Sequence, residues 1–414
     1  MKILFVHQNF PGQFLHLAPA LAARGHQVVA LGINRSQPLP GIQTLQYKVS
    51  APAPDVAPHP WLRDLNTKVI RGQAAWNAAR ELDRQGFQPD LIIAHPGWGE
   101  SLFLKDVWPA ARLGIYCEFY YLVQGGDVNF DPEFQESQPD QACRLRLKNA
   151  NFELHFPIAD GGLSPTQWQR SVFPEPFRSR ITVMHDGIDT ERLRPNPRAQ
   201  LRIKSRFGEV ELNQGDEIIT FVNRNLEPYR GYHTFMRALP ELLRQRPNAR
   251  VLIVGGDEVS YGSPPGPGED GRPRRWKDVF LNEVKAQLDL SRIHFLGRIP
   301  YARFVTLLQL STVHIYLTYP FVLSWSLLEA MSVGCAIVAS DTKPVREAIQ
   351  PDKTGQLVDF FDSEGLVATV VRLIQNPQER TRLGRAAREH AAQTYDLKQV
   401  CLPGQIAWVE SLAG

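Results

Sequence analysis

Ile3-Leu4-Phe5-Val6-His7-Gln8-Asn9-Phe10-Pro11-Gly12 decides the fold, read together with the apolar residues Phe14, Leu17, Ala18 and Leu21 and the run His26-Gln27-Val28-Val29-Ala30-Leu31. Ile3 to Val6 is an unbroken apolar run, the pattern of a strand buried on both faces of a parallel sheet. Pro11-Gly12 marks a turn. The spacing from Phe14 predicts a helix, which Pro19 should kink. Gly25 ends that helix, and Val28 to Leu31 begins a second buried strand. Strand, loop, helix and strand make one unit of a doubly wound α/β sheet.

The alternation continues outward from this unit. A helix is expected at Ala74–Gln85, with strands at Asp90–Ala94, Gly114–Leu122, Ile158–Ser164 and Ile181–His185. Thr190–Gly215 is polar and carries Arg and Pro, which suggests a linker and a first helix. The pattern then restarts, with strands at Ile218–Asn223, Arg250–Gly255, Ile293–Leu296, Val313–Leu317, Ala336–Ala339 and Gln356–Val358. Helices are expected at Tyr232–Gln245, Val279–Leu288, Ser363–Gln375 and Gln378–Ala392. Ser260–Arg275 is crowded with Pro, Gly and charge and reads as a surface loop. The expected architecture is α/β, with doubly wound, Rossmann-like domains at 1–190 and 191–396 facing across a cleft and a segment at 397–414 packing back across both. Ligands of open parallel sheets bind beyond the carboxyl ends of the strands, so that cleft is the expected active site.

Composition narrows the classes. At 414 residues the chain exceeds one ordinary core, and with 43% apolar and 21% charged residues it reads as globular. A formal charge of +3 is too small to argue for nucleic acid as a partner. The four cysteines are scattered without a Cys-x-x-Cys pair, so neither zinc nor a disulfide framework is indicated, and a reduced cytoplasm fits. The run before His7 is too short for a signal peptide, and no run of 18 apolar residues would span a bilayer. A place on the inner face of the membrane stays open as an alternative.

Six stretches could carry chemistry. In Asn223-Arg224-Asn225-Leu226-Glu227-Pro228-Tyr229-Arg230-Gly231, two arginines six residues apart flank a turn between a buried strand and a helix. Guanidinium forks and a helix start suit a diphosphate, and the competing reading is two solvated loop arginines. In Phe321-Val322-Leu323-Ser324-Trp325-Ser326-Leu327-Leu328-Glu329, a lone acid sits on an apolar helix behind a turn that could offer backbone N–H groups. Glu329 suits sugar or ribose hydroxyls, or is an acid favoured by the helix dipole. Gly12 lets backbone approach a ligand, or serves an ordinary strand–helix turn. His95, in Ala94-His95-Pro96-Gly97-Trp98, stands at a strand exit, as does His185-Asp186-Gly187, where a turn role is at least as good. Glu118-Phe119-Tyr120-Tyr121 with Asp127 could line an acceptor pocket or form part of the core.

In order and spacing these pieces, with Pro89 to His95, Ala159-Asp160, Met184 to Thr190, Val254-Gly255-Gly256, Ile293 to Gly297 and Leu328 to Asp341, resemble the family-4 glycosyltransferases of GT-B fold, from Lys2 to about Ala391. The resemblance implies a retaining, metal-independent transfer of sugar from a nucleotide diphosphate sugar, a UDP- or GDP-sugar, to an acceptor hydroxyl. That acceptor would be a glycan or a lipid-linked or protein-linked group, in bacterial glycan synthesis, with no other cofactor. It implies Arg224 and Arg230 on the diphosphate, Glu329 on the ribose, and Gly12 and the turn Phe321, Val322, Leu323 and Ser324 at the donor. His95, Glu118, Tyr120 and Asp127 are acceptor candidates. The family's second basic residue is usually Lys where Arg230 stands. Its first acid of Glu-x7-Glu is replaced by Phe321, and Gly-Phe-Gly by Val322-Leu323-Ser324. A weakly catalytic nucleotide-sugar-binding homologue and a GT-B nucleotide-sugar epimerase are the alternatives. A nicotinamide dehydrogenase lacks its glycine fingerprint here.

Overall fold

Each unbroken apolar run becomes a strand with neighbours on both sides. The computed structural model describes residues 1–34, 37–49, 58–135 and 139–414. Its contacts divide the chain into two units, Met1–Gly187 with Lys398–Gly414, and Ile188–Leu397.

The first unit holds seven strands, β1 (Lys2–Val6), β2 (Gln27–Gly32), β3 (Ile42–Gln46), β4 (Leu91–Ala94), β5 (Arg112–Tyr116), β6 (Gly161–Ser164) and β7 (Ile181–Val183). Their order is β3-β2-β1-β4-β5-β6-β7, and every pairing is parallel. The order reverses between β1 and β4, which opens the strand ends there to a ligand. Ile3, Phe5, Phe14, Leu17 and Leu21 form the core that the opening motif promised. The C-terminal helix Leu402–Ala413 also belongs to this unit. Its Trp408 and Leu412 lie over Gly114 and Gly161, where an added Cβ would stand 2.6 Å and 2.9 Å from Leu412 methyls. These glycines leave the flat floor on which the helix rests.

The second unit holds a six-stranded parallel sheet and one hairpin. The hairpin is β8 (Gln200–Ser205) and β9 (Gly208–Asn213). The sheet strands are β10 (Ile218–Asn225), β11 (Arg250–Gly256), β12 (Ile293–Gly297), β13 (Val313–Tyr316), β14 (Ile337–Ser340) and β15 (Gln356–Val358). Their order, β12-β11-β10-β13-β14-β15, reverses between β10 and β13.

Several expectations are corrected. The helix expected within Thr190–Gly215 is the hairpin: Leu201, Ile203 and Leu212 turn inward while Arg202 pairs outward with Glu209 and Glu211 at 3.1 and 3.3 Å. That alternation has the period of a strand. The strand from Gly114 stops at Tyr116, because the chain then leaves the sheet for loop contacts. Pro19 does not kink its helix. The helix is only Leu17–Ala23, which places Pro19 in the first turn, where no intrahelical N–H is missed. Helices Gln141–His155 and Tyr301–Leu310 were not anticipated. Among the described residues, no helix is long and apolar enough to cross a membrane.

Several imidazoles are buried, four of them with strongly depressed pKa values. His7, His155, His185 and His314 are buried, and burial holds them down to about 3, 4, 4 and 3. Below pH 6.5 the unfolded chain protonates these groups while the native state does not. Stability therefore falls as pH drops from 6.5 toward 4, by about 1.4 kcal/mol per pH unit for each such group. Glu100, Glu227 and Glu329, raised by burial, act in the opposite sense. The expected result is that His155→Gln has a shallower loss of melting temperature between pH 7 and 5 than the parent chain; equal slopes would rule this out.

Candidate functional site

The exits of β10 and β13 meet at the reversal point of the second unit. After β10 the chain runs through a short turn, Pro228–Arg230, into the helix Tyr232–Gln245. After β13 it runs through Leu317–Ser324 into the helix Trp325–Ser332. Gly231, at φ +67°, lets the two exits touch, since a Cβ there would stand 2.3 Å from Leu317 Cβ.

Arg230 is 5% exposed. Its Nη1 donates to Thr318 Oγ1 at 2.8 Å and to the Val322 carbonyl at 3.0 Å. Its guanidinium carbon stands 5.2 Å from the Tyr261 ring centre. None of these partners is anionic, and no carboxylate hydrogen-bonds this guanidinium among the described residues. A buried cation held only by neutral groups is costly until an anion joins it.

Arg224 is exposed and makes no hydrogen bond or ion pair among the described residues. It lines a cavity of about 480 Å³ with Asn223, Gly255, Arg298, Tyr301 and Phe304. Tyr301 donates its hydroxyl to Glu329 Oε1 at 2.7 Å. Burial pushes the Glu329 carboxyl up, and the Tyr301 bond pulls it partly back. The cavity thus brings Arg224 together with the partner of Glu329. Phe321, Val322 and Leu323 are buried at 5, 8 and 7% exposure. Their turn is less open than the sequence suggested: Ser324 gives its N–H to Tyr316 Oη at 2.9 Å, and the Val322 carbonyl holds Arg230.

In the first unit, the exits of β1, β4 and β5 carry a polar group of their own. His7 Nδ1 accepts the Asn9 N–H at 2.9 Å, so Nε2 carries the proton and donates to Gln13 Oε1 at 2.9 Å. Gln13 Nε2 in turn donates to Glu118 Oε1 at 3.2 Å. His95 Nδ1 accepts the Gly97 N–H at 3.2 Å, which leaves the Nε2 proton facing Glu118 Oε2 at 3.3 Å, an approach too oblique for a full hydrogen bond. His95 stacks on Trp98 with centroids 4.4 Å apart. Burial raises the Glu118 carboxyl, but His95, His7 and Gln13 together bring it below the usual range. Glu118 is thus an ionised acid, aimed by two neighbours, with its side chain 37% exposed.

Gly12 lies beside this polar group, and the remaining expected residues take other places. Gly12 has a structural reason: at φ +49°, a Cβ would stand 2.3 Å from His7 Nε2. Tyr120 donates to Glu153 at 2.5 Å and stacks on Phe156 within an aromatic cluster. Asp127 is buried at 3% exposure. His185 Nδ1 accepts the Gly187 N–H at 3.0 Å, a turn role. Sequence reasoning missed Tyr301, Arg298, Tyr261 and His7 as site residues. Arg298 follows Gly297 at a strand exit and could have been found on that ground. Tyr301 opens a helix that the pattern did not announce.

Two parallel-sheet units, with a buried arginine at one reversal point and an ionised carboxylate at the strand ends of the other, have the fold of the GT-B glycosyltransferases. Residues 24–193 match the family described as Glycosyl transferase family 4 group, and residues 203–390 match Glycosyl transferases group 1. The D-inositol 3-phosphate glycosyltransferase of Corynebacterium efficiens is 30% identical over 318 residues, 74% of this chain and 68% of its own length. A GDP-mannose-dependent phosphatidylinositol monomannoside mannosyltransferase of Mycolicibacterium smegmatis is 27% identical, over 55% of this chain and 56% of its own. The fold is similar to that of the Anabaena protein HepE in complex with UDP, with TM-score 0.68, 16% identity, and 99% and 100% of the two chains covered. The chain belongs to glycosyltransferase family 4.

The contact between the two exits depends on Gly231. Gly231→Ala should lower stability by about 1–3 kcal/mol through φ strain and the Leu317 clash. Chemical denaturation would check this, and an unchanged midpoint would show that the two exits tolerate separation.

Proposed function

We propose that this glycosyltransferase moves a sugar with retention from a nucleotide diphosphate sugar to an acceptor hydroxyl. The observation that carries the reading is Arg230, buried beside Thr318, Val322 and Tyr261 with neutral partners only. A diphosphate supplies the missing charge. Arg224, at the mouth of the cavity, would take a second phosphate oxygen, and Glu329, steadied by Tyr301, would take the ribose hydroxyls. UDP or GDP is the expected nucleotide, by similarity to relatives that use them.

The bond from the anomeric carbon to the phosphate oxygen breaks as the bond to the acceptor oxygen forms on the same face. The acceptor proton passes to the departing phosphate oxygen. The two guanidiniums stabilise the charge that grows there, so the chemistry needs no metal ion. Glu118, held ionised by Gln13 and His95, would accept a hydrogen bond from a sugar hydroxyl at the strand ends of the first unit. Glycan, lipid-linked and protein-linked hydroxyls all fit this scheme. A cytoplasmic site of action, free or at the inner membrane face, is part of the proposal.

Screening the chain for thermal stabilisation by uridine, guanosine, adenosine and thymidine diphosphates identifies the nucleotide, since a ligand bound only to the native state raises its melting temperature. Arg224→Ala and Arg230→Ala should each lower turnover by about 10²–10³-fold with the fold retained. Near-normal turnover in both variants would falsify the reading. Release of a free sugar with one ring carbon inverted, without an acceptor, would instead mark an epimerase.

A further inference from the structure

The loop from Asp257 to Arg275 is rich in Pro, Gly and charge, yet its first turn is pinned from beneath. Glu227 is fully buried, at 0% exposure. Its Oε2 accepts two backbone N–H groups of that loop, Ser260 at 2.7 Å and Tyr261 at 3.1 Å. Its Oε1 has no hydrogen-bond partner among the described residues. Asn225 Nδ2 donates to Ser260 Oγ at 2.7 Å. Gly262, at φ +75°, lays the loop against the Tyr229 ring, where a Cβ would approach within 2.9 Å. The Tyr261 ring is thereby set 4.9 Å from Phe321 and 5.2 Å from the Arg230 guanidinium carbon.

Glu227 is three residues from Arg230 and lies close enough to feel its charge, yet it makes no hydrogen bond or ion pair with the guanidinium among the described residues. The carboxylate instead holds the loop amides, and the loop holds the ring. We propose that Tyr261 and Glu227 are positioning residues for Arg230. Glu227 anchors the turn, and Tyr261 covers one face of the guanidinium. Thr318 and the Val322 carbonyl hold one edge, at Nη1, so the planar fork presents its remaining donors in a single direction. That fixed presentation is what two-point recognition of a phosphate requires. The proposal rests on the reading of Arg230 as a diphosphate ligand. It makes the Asp257–Arg275 loop part of the donor site.

The test measures affinity of the full chain for uridine and guanosine diphosphates and, in parallel, for uridine and guanosine. For Tyr261→Leu, the affinity for whichever diphosphate binds should fall about 3- to 10-fold while nucleoside affinity is unchanged. Tyr261→Phe, which keeps the ring, should match the parent chain. Glu227→Gln should shift the diphosphate in the same direction as Tyr261→Leu, and it serves as the reading if Tyr261→Leu does not fold. Equal losses for nucleoside and diphosphate would indicate a merely structural loop and overturn the proposal. So would a normal diphosphate affinity in Tyr261→Leu when Arg230→Ala has lost it. If Arg230→Ala itself binds diphosphate normally, the phosphate role of Arg230 fails and the positioning role falls with it.

Discussion

A buried guanidinium whose hydrogen-bond partners are all neutral is the constraint around which the second unit is organised. Arg230 has lost most of its water, and Thr318 and Val322 offer it only neutral oxygens. Desolvating a cation is expensive, and hydrogen bonds from a hydroxyl and a carbonyl recover part of that cost. The remainder is available to an anion that reaches the strand ends. Gly231 makes this arrangement possible, because any side chain there would force the exit of β13 away from the turn that carries the arginine.

The two units treat charge differently. In the second, cations are prominent: Arg230 is buried, Arg224 is exposed on the cavity, the lining acid Glu258 is paired with Arg298, and Glu329, which reaches the wall only through Tyr301, is pushed toward its neutral form by burial. In the first, a carboxylate dominates. Glu118 is kept ionised by His95, His7 and Gln13: Gln13 donates to it and accepts from His7, His95 faces it, and the Asn9 and Gly97 N–H groups fix which imidazole nitrogen carries the proton. The proposed function rests on these two elements, arginines for the phosphates and the Glu118 carboxylate for a sugar hydroxyl. Each is built at the point where its own sheet reverses strand order.

The fold was largely legible. Unbroken runs such as Ile3–Val6, Ile218–Val222 and Ile337–Ala339 can satisfy their backbone only inside a parallel sheet, and the helices Tyr232–Gln245 and Ser363–Gln375 fall where the apolar spacing put them. What escaped was short or locally ambiguous. The hairpin Gln200–Asn213 was masked by its arginines and by Pro195 and Pro197 just before it, although its alternation was present. The helix Gln141–His155 is polar enough to hide, since its buried set includes Asn149, Asn151 and His155.

The order of residue types by itself determined the two doubly wound units, the family, and the candidacy of Arg224, Arg230 and Glu329, because burial on both faces of a sheet and a turn before a helix leave local signatures. Only the tertiary structure decided what those side chains meet. Tyr301 is 28 residues from Glu329, Thr318 is 88 from Arg230, and Gln13 is 105 from Glu118. No local pattern encodes such pairings; they follow from which strands end side by side, and that is set by the packing of the whole sheet.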